Sequence, residues 1–112
     1  MVLIEVPIKP FKLDDLKEAL EELGVGGMTV TEVLQSSTKA RGRSFGRSPA
    51  DSDLVPKIKL EVVAPKELAE RIIEAILLHG SAGRTEAFTI SVEIVKAAIR
   101  IRTGEANEEA LT

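Results

Sequence analysis

Apolar and polar residues follow one another along this chain in blocks with two different periods. Val2-Leu3-Ile4-Glu5-Val6-Pro7-Ile8 is apolar and β-branched, the composition of a strand. Pro7 has no N–H to give a ladder, so this strand should end near it or run beside an edge there. Lys9-Pro10 breaks the run. From Phe11 to Leu23 the period lengthens, and Phe11, Leu16, Ala19, Leu20 and Leu23 fall on one helical stripe. Asp14 and Asp15 lie early in that helix, where carboxylates meet the positive end of its dipole. Gly24, Gly26 and Gly27 stop it.

Met28 to Leu34 is again rich in β-branched residues and predicts a second strand. The stretch from Gln35 to Asp53 differs in kind. It holds Ser36, Ser37, Thr38, Ser44, Ser48 and Ser52, with Lys39, Arg41, Arg43 and Arg47, and shows no apolar period. It predicts a long solvated loop closed by Pro56, and loops of this length in a small domain are usually functional or mobile. Lys57 to Val63 alternates as a strand with one buried face. Pro65 suits the start of a helix running from about Lys66 to His79, with Leu68, Ile72 and Ile76 on one stripe and Ala69 and Ile73 beside it. Gly80 and Gly83 bracket a second loop, and Phe88 to Ile94 alternates as a fourth strand. The acidic tail after Gly104 is expected to fold against a neighbour or fray.

The order βαβ, long loop, βαβ predicts a single α+β domain over residues 1–112. It is a ferredoxin-like βαββαβ sandwich: a four-stranded antiparallel sheet with two helices on one face. Strand residues of both parities include apolar side chains, so the helix-free face is expected to be covered by other subunits.

Composition narrows the chemistry. The 112 residues include no Cys, which excludes disulfides, thiolate zinc sites and cysteine nucleophiles. One histidine, His79, argues against a histidine metal cluster or a Ser-His-Asp triad; its place at a helix end is an ordinary one beside the dipole. No catalytic set and no metal set is expected, and the protein is not expected to be an enzyme. No apolar run approaches the ~20 residues of a membrane span, and no secretory leader precedes the first strand, so a cytoplasmic protein is expected. A net charge of −3 offers no general attraction to nucleic acid. The basic residues cluster instead in the long loop.

Four strings carry more than a fold. Ile8-Lys9-Pro10-Phe11-Lys12-Leu13-Asp14-Asp15, Gly27-Met28-Thr29-Val30-Thr31-Glu32-Val33, Pro56-Lys57-Ile58-Lys59-Leu60-Glu61 and Arg100-Ile101-Arg102-Thr103-Gly104-Glu105 occur in this order across nearly the whole chain. Together they closely resemble the PII signal-transduction proteins. The resemblance implies a homotrimer that binds ATP or ADP between subunits, usually senses 2-oxoglutarate, and regulates transporters, enzymes and transcription factors of nitrogen metabolism. It implies a T-loop at about 35–53, which meets the target protein, and a B-loop at about 80–88.

The same resemblance assigns residues. Arg100 and Arg102 match two arginines that contact nucleotide phosphates, chemistry suited to a guanidinium fork. Gly27, Met28 and Thr29 match the lining of the nucleotide cleft, and Glu61 to Val63 match the strand beside the adenine. Lys39 is placed to meet a phosphate, Gly83 matches a B-loop glycine, and Lys57 matches a lysine that pairs with 2-oxoglutarate. Arg41, Arg43, Phe45 and Arg47 fall on the partner loop. Blander readings exist: alternation puts Arg100 and Arg102 on one side of a strand end, where salt bridges alone would account for them. Lys57, Lys59 and Glu61 would make an ordinary polar strand face. The Arg-Ser pairs at 43–44 and 47–48 would allow phosphorylation, but such pairs are common by chance.

Departures from the family pattern fall in both ligand loops. Its glycine-rich run ending Gly-Asp-Gly-Lys is here Glu86-Ala87-Phe88-Thr89, which removes close amide approach and a positive charge. The T-loop begins Gln35-Ser36-Ser37-Thr38-Lys39-Ala40-Arg41, without a clear counterpart of the glutamine that helps hold Mg-ATP and 2-oxoglutarate. These changes put Mg and 2-oxoglutarate binding in question. They leave a second reading beside the sensor: a nucleotide-blind trimeric interaction module, or an engineered assembly scaffold, retaining the PII core. With no Tyr in the chain, tyrosyl modification is impossible.

Overall fold

A computed structural model of the chain describes residues 1–36, 54–81 and 88–111. The strands are β1 (Val2–Ile8), β2 (Thr29–Ser36), β3 (Leu54–Ala64) and β4 (Ser91–Ile94), and the helices are α1 (Leu13–Glu22) and α2 (Ala69–His79). Short 3₁₀ turns at Pro10–Lys12 and Lys66–Leu68 lead into the helices, and a third spans Asn107–Leu111.

The sheet order is β2-β3-β1-β4, and each neighbouring pair is antiparallel. This is the ferredoxin-like order expected from the sequence. Pairing of β1 with β3 runs from Val2 opposite Ala64 to Ile8 opposite Ile58, so the even-numbered residues of both strands share a face. Those residues meet Leu16 and Leu20 of α1 and Ile72 and Ile76 of α2 in one aliphatic core. Nine of its side chains, among them Ile4, Val6, Leu60 and Val62, are almost wholly withdrawn from water. Each such burial contributes roughly 1.5–3 kcal/mol relative to exposure. Leu3, Glu5, Lys59, Glu61 and Val63 occupy the helix-free face and are half-buried.

The end of α1 shows how a sequence signal becomes geometry. Gly24 adopts a φ of +85°. Its N–H donates to the Glu21 carbonyl at 3.0 Å, and the Val25 N–H donates to that of Leu20 at 3.2 Å. This is a complete Schellman closure, and Val25 packs against the core beyond it. Gly80 closes α2 for a different reason: a Cβ there would stand 2.7 Å from the Ile76 carbonyl oxygen and 3.4 Å from Ile8 Cγ2.

Several expected boundaries shift. Phe11 is exposed rather than on the α1 stripe. It sits in the 3₁₀ turn, whose three residues per turn rotate it away from the face that Leu16 and Leu20 define. Gln35 and Ser36 belong to β2, opposite Val55 and Leu54, so the hairpin stem reaches further than composition implied. Pro56 does not close a loop but lies within β3 opposite Leu34. Because β1 ends opposite Ile58, β3 has an open edge at Pro56, the setting in which a sheet accepts proline. Pro7 likewise lies beyond the β1–β4 pairing, which covers Val2 to Glu5. β4 is shorter than expected, since Phe88 and Ile90 turn to the core instead of extending the ladder. The expected loops fall mainly on 37–53 and 82–87, outside the described residues.

Gly80→Ala should therefore lower stability by about 1–3 kcal/mol through overpacking at the helix end. Gly24→Ala should cost about 1–2 kcal/mol through its left-handed backbone. Urea unfolding at one fixed protein concentration measures both, and wild-type midpoints would mean that these helix ends relax freely.

Candidate functional site

Odd-numbered strand residues point away from the helices, and register decides which of them meet. Thr29 pairs with Glu61, and Leu3 pairs with Val63, so three strands bring these side chains to one end of the helix-free face. Gly26, Gly27 and Met28 lead into β2 at the same end. Together with Arg100, Ala110 and Leu111 they line a cleft of about 460 Å³, within the range of small-ligand pockets.

The far wall of the cleft is made by the tail. After β4, the Val95 N–H donates to the Met1 carbonyl at 3.0 Å, carrying the chain along β1. It then doubles back: Ile99 pairs with Ala106 across an isolated bridge. The Arg100 N–H donates to the Glu105 carbonyl at 2.8 Å, and the Gly104 N–H to that of Arg100 at 2.7 Å. Gly104 makes this turn with a φ of +77°. Asn107, at φ +59°, redirects the chain into the last 3₁₀ turn; asparagine tolerates that conformation better than most residues.

Charge in the cleft comes from Arg100 and Glu61. The Arg100 Nη1 donates to Glu105 Oε1 at 3.0 Å, and its Nη2 donates to the Ala110 carbonyl at 3.2 Å. Thr103 Oγ1 donates to the same Glu105 oxygen at 2.8 Å. Glu61 lies 3.8 Å from the Lys59 Nζ. A Cβ on Gly27 would meet nothing within 4 Å. The chain's own packing therefore gives no reason for glycine there, whereas close approach by another molecule would.

Six of the residues singled out in the sequence, Gly27, Met28, Thr29, Glu61, Val63 and Arg100, thus line one cleft. Arg102 does not join them. The strand expected to place both arginines on one side is absent: residues 101–103 form an exposed turn closed by the Gly104–Arg100 bond. Lys57 is also elsewhere, about 13 Å along β3 from Glu61 at the usual strand rise. It is not an open polar strand position either, being only 7% exposed. It lines a separate cavity of about 480 Å³ with Pro10, Glu32, Val33, Leu34, Pro56 and Ile58. Lys39, Arg41, Arg43, Phe45, Arg47 and Gly83 lie outside the described residues. His79 ends α2 and faces Asp15, Glu18 and Glu22 of α1 across a small depression. Among the described residues no group of acidic and histidine side chains is arranged to hold a metal ion, and no helix is long and apolar enough to cross a membrane.

Leu3, Gly26, Ala110 and Leu111 were not foreseen. Leu3 carried a faint signal as an apolar residue on the odd face of β1. The tail carried none, because its position depends on two left-handed residues and a long-range contact.

Comparison with known proteins resolves the family. The family model described as nitrogen regulatory protein P-II matches residues 1–105. The chain belongs to the nitrogen regulatory protein P-II family. The P-II protein of Haemophilus influenzae is 45% identical, with 96% of this chain and 97% of that protein covered. That of Rhizobium meliloti is 45% identical over the same shares, and P-II 1 of Escherichia coli is 40% identical, again over 96% and 97%. The family-model match ends at residue 105, so the Glu105 that holds Arg100 lies inside it and the 3₁₀ turn at Asn107–Leu111 lies beyond it.

Gly104→Ala should unsettle the turn locally. Amide exchange at Arg100 and Gly104 is expected to rise about tenfold, for a left-handed penalty of roughly 1–2 kcal/mol, while the protection of core amides in β1 and β3 stays unchanged. Equal loss of protection in the core would show that the tail is integral to the fold.

Proposed function

We propose that this P-II family chain is a trimeric signalling protein that binds adenine nucleotide between subunits and presents the segment 37–53 to a target protein. A role in nitrogen-regulatory signalling accompanies the family. The nucleotide reading rests chiefly on one observation: Gly27, Met28, Thr29, Glu61, Val63 and Arg100, drawn from separate stretches of sequence, line a single cleft. Arg100 supplies a guanidinium for phosphate oxygens. The strand around Glu61 and Val63 offers an apolar side chain and backbone edge suited to a purine ring. The cleft is open on one side, and a second subunit would enclose the ligand there. Nucleotide would act on signalling only through unequal affinity for two conformations of the target-binding loop. Mg and 2-oxoglutarate are secondary parts of the proposal: Lys57 would serve a dicarboxylate, but Glu32 on the same cavity wall opposes it.

A second reading, a nucleotide-blind trimeric interaction module or assembly scaffold, draws on a specific observation. Phe88 stands where the family has a phosphate-loop glycine, and it packs against the hydrophobic core.

Calorimetric titration with ADP and then ATP, with Mg and with or without 2-oxoglutarate, separates the two. Micromolar binding near one nucleotide per subunit is expected, and no heat at millimolar nucleotide would favour the scaffold. Arg100→Ala should weaken binding at least tenfold, about 1.4 kcal/mol, and Arg102→Ala should weaken it less. Gly27→Ala should leave stability within about 0.5 kcal/mol yet impair binding. Light scattering should give a trimer, and a monomer that persists at high concentration would contradict both readings.

A further inference from the structure

Both terminal nitrogens that make Arg100 attractive for phosphate already bond the chain itself. Nη1 bonds the Glu105 carboxylate, and Nη2 bonds the Ala110 carbonyl. Ala110 and Leu111 stand in the wall of the cleft. The segment also brings Glu108 and Glu109, so three carboxylates including Glu105 lie within or next to the tail turn that borders the cleft. A polyanion entering here would meet a guanidinium already paired with a carboxylate, and an acidic segment beside it.

This segment buries little apolar area. It is one five-residue 3₁₀ turn with no buried residue. Its anchors include the Asn107 N–H bond to the Ala98 carbonyl at 2.6 Å, the Ala98 N–H bond to Asn107 Oδ1 at 3.5 Å, the Arg100–Ala110 bond, and the half-buried Ala110 and Leu111. Segments with little buried apolar area open at low free-energy cost.

From this geometry we infer that Asn107–Leu111 is a displaceable strap that competes with phosphate for Arg100, so that nucleotide binding and tail release are one coupled step. The inference rests on the nucleotide reading of the cleft. In the strapped form the Arg100 charge is satisfied by Glu105 and the Ala110 carbonyl. In the released form Nη2 turns from the Ala110 carbonyl to a phosphate oxygen, and Glu108 and Glu109 leave the neighbourhood of the negative ligand. Apparent affinity is then the intrinsic affinity reduced by the fraction of chains unstrapped.

The full-length chain and its Leu111→Ser variant, which withdraws the apolar anchor and leaves every cleft polar group in place, provide the test. ADP is titrated into both by calorimetry, and amide exchange of residues 107–111 is followed with and without ADP. The strap predicts that Leu111→Ser binds ADP more tightly by about threefold or more, and that ADP lowers the protection of the tail in the wild type. Binding by Leu111→Ser alone would support it as well. If the wild type binds ADP but the variant binds equally or more weakly, or if ADP leaves tail exchange unchanged or slower, the strap is overturned while the nucleotide cleft stands. If neither protein binds ADP, with both folded by circular dichroism, the nucleotide reading and the strap fall together.

Discussion

The register of β1 against β3 is the constraint on which the rest of this structure depends. Val2 opposite Ala64 and Ile8 opposite Ile58 place all even-numbered side chains of the two central strands under the helices. A slip of β1 by one residue would turn Ile4 and Val6 to the other face and present Glu5 to the core, and the same slip of β3 would turn out Leu60 and Val62 and present Lys59 and Glu61. Burying those charges without partners would cost far more than any local gain could offset. The aliphatic composition of the core makes the choice sharp, because among the described residues no aromatic ring is fully buried to bridge a misfit.

The site is a consequence of the same register. Once the even residues are committed to the core, Leu3, Thr29, Glu61 and Val63 must appear on the opposite face, and the pairings of Thr29 with Glu61 and Leu3 with Val63 bring them to one end of it. The tail then completes the cleft using a different device. Two residues with positive φ, Gly104 and Asn107, fold the chain back, and the Arg100 guanidinium and the Asn107 N–H join the hairpin to the final turn. A strongly determined sheet thus carries a weakly determined wall. Such an arrangement suits a regulatory protein, in which the frame should persist while one contact is exchanged.

Charge placement follows this division. Asp14 and Asp15 lie in the first turn of α1, and Lys17 and Glu21 pair across one turn at 3.9 Å on its exposed surface. These interactions are solvent-screened and contribute little. Lys57 differs in being buried, yet at the open end of β3, where β1 no longer flanks it. There it lines a cavity with Pro10, Val33, Leu34, Pro56 and Ile58, a setting that suits the aliphatic stem of a lysine.

Much of the fold was legible beforehand, because period and punctuation act locally. Strand alternation, the Leu16–Leu20 and Ile72–Ile76 stripes, and the glycine stops announced the element order, and that order implied the ferredoxin-like sheet. Membership of the P-II family was legible too, in four strings spread along the chain. The departures are those that local rules do not reach: Phe11 lost from its stripe, Pro56 taken into a strand, and Arg102 left in a turn. Six residues of the cleft could be named from resemblance, but composition could not show that they converge while Arg102 and Lys57 stand apart. Neither could it show that Arg100 is held by the tail. Hydrophobic period thus determined which elements form and which faces they bury, since each depends on neighbours within a turn or two of sequence. Tertiary structure alone decided which polar groups share the cleft, because strand register and the backbone path of the tail are set by contacts between residues far apart in the chain.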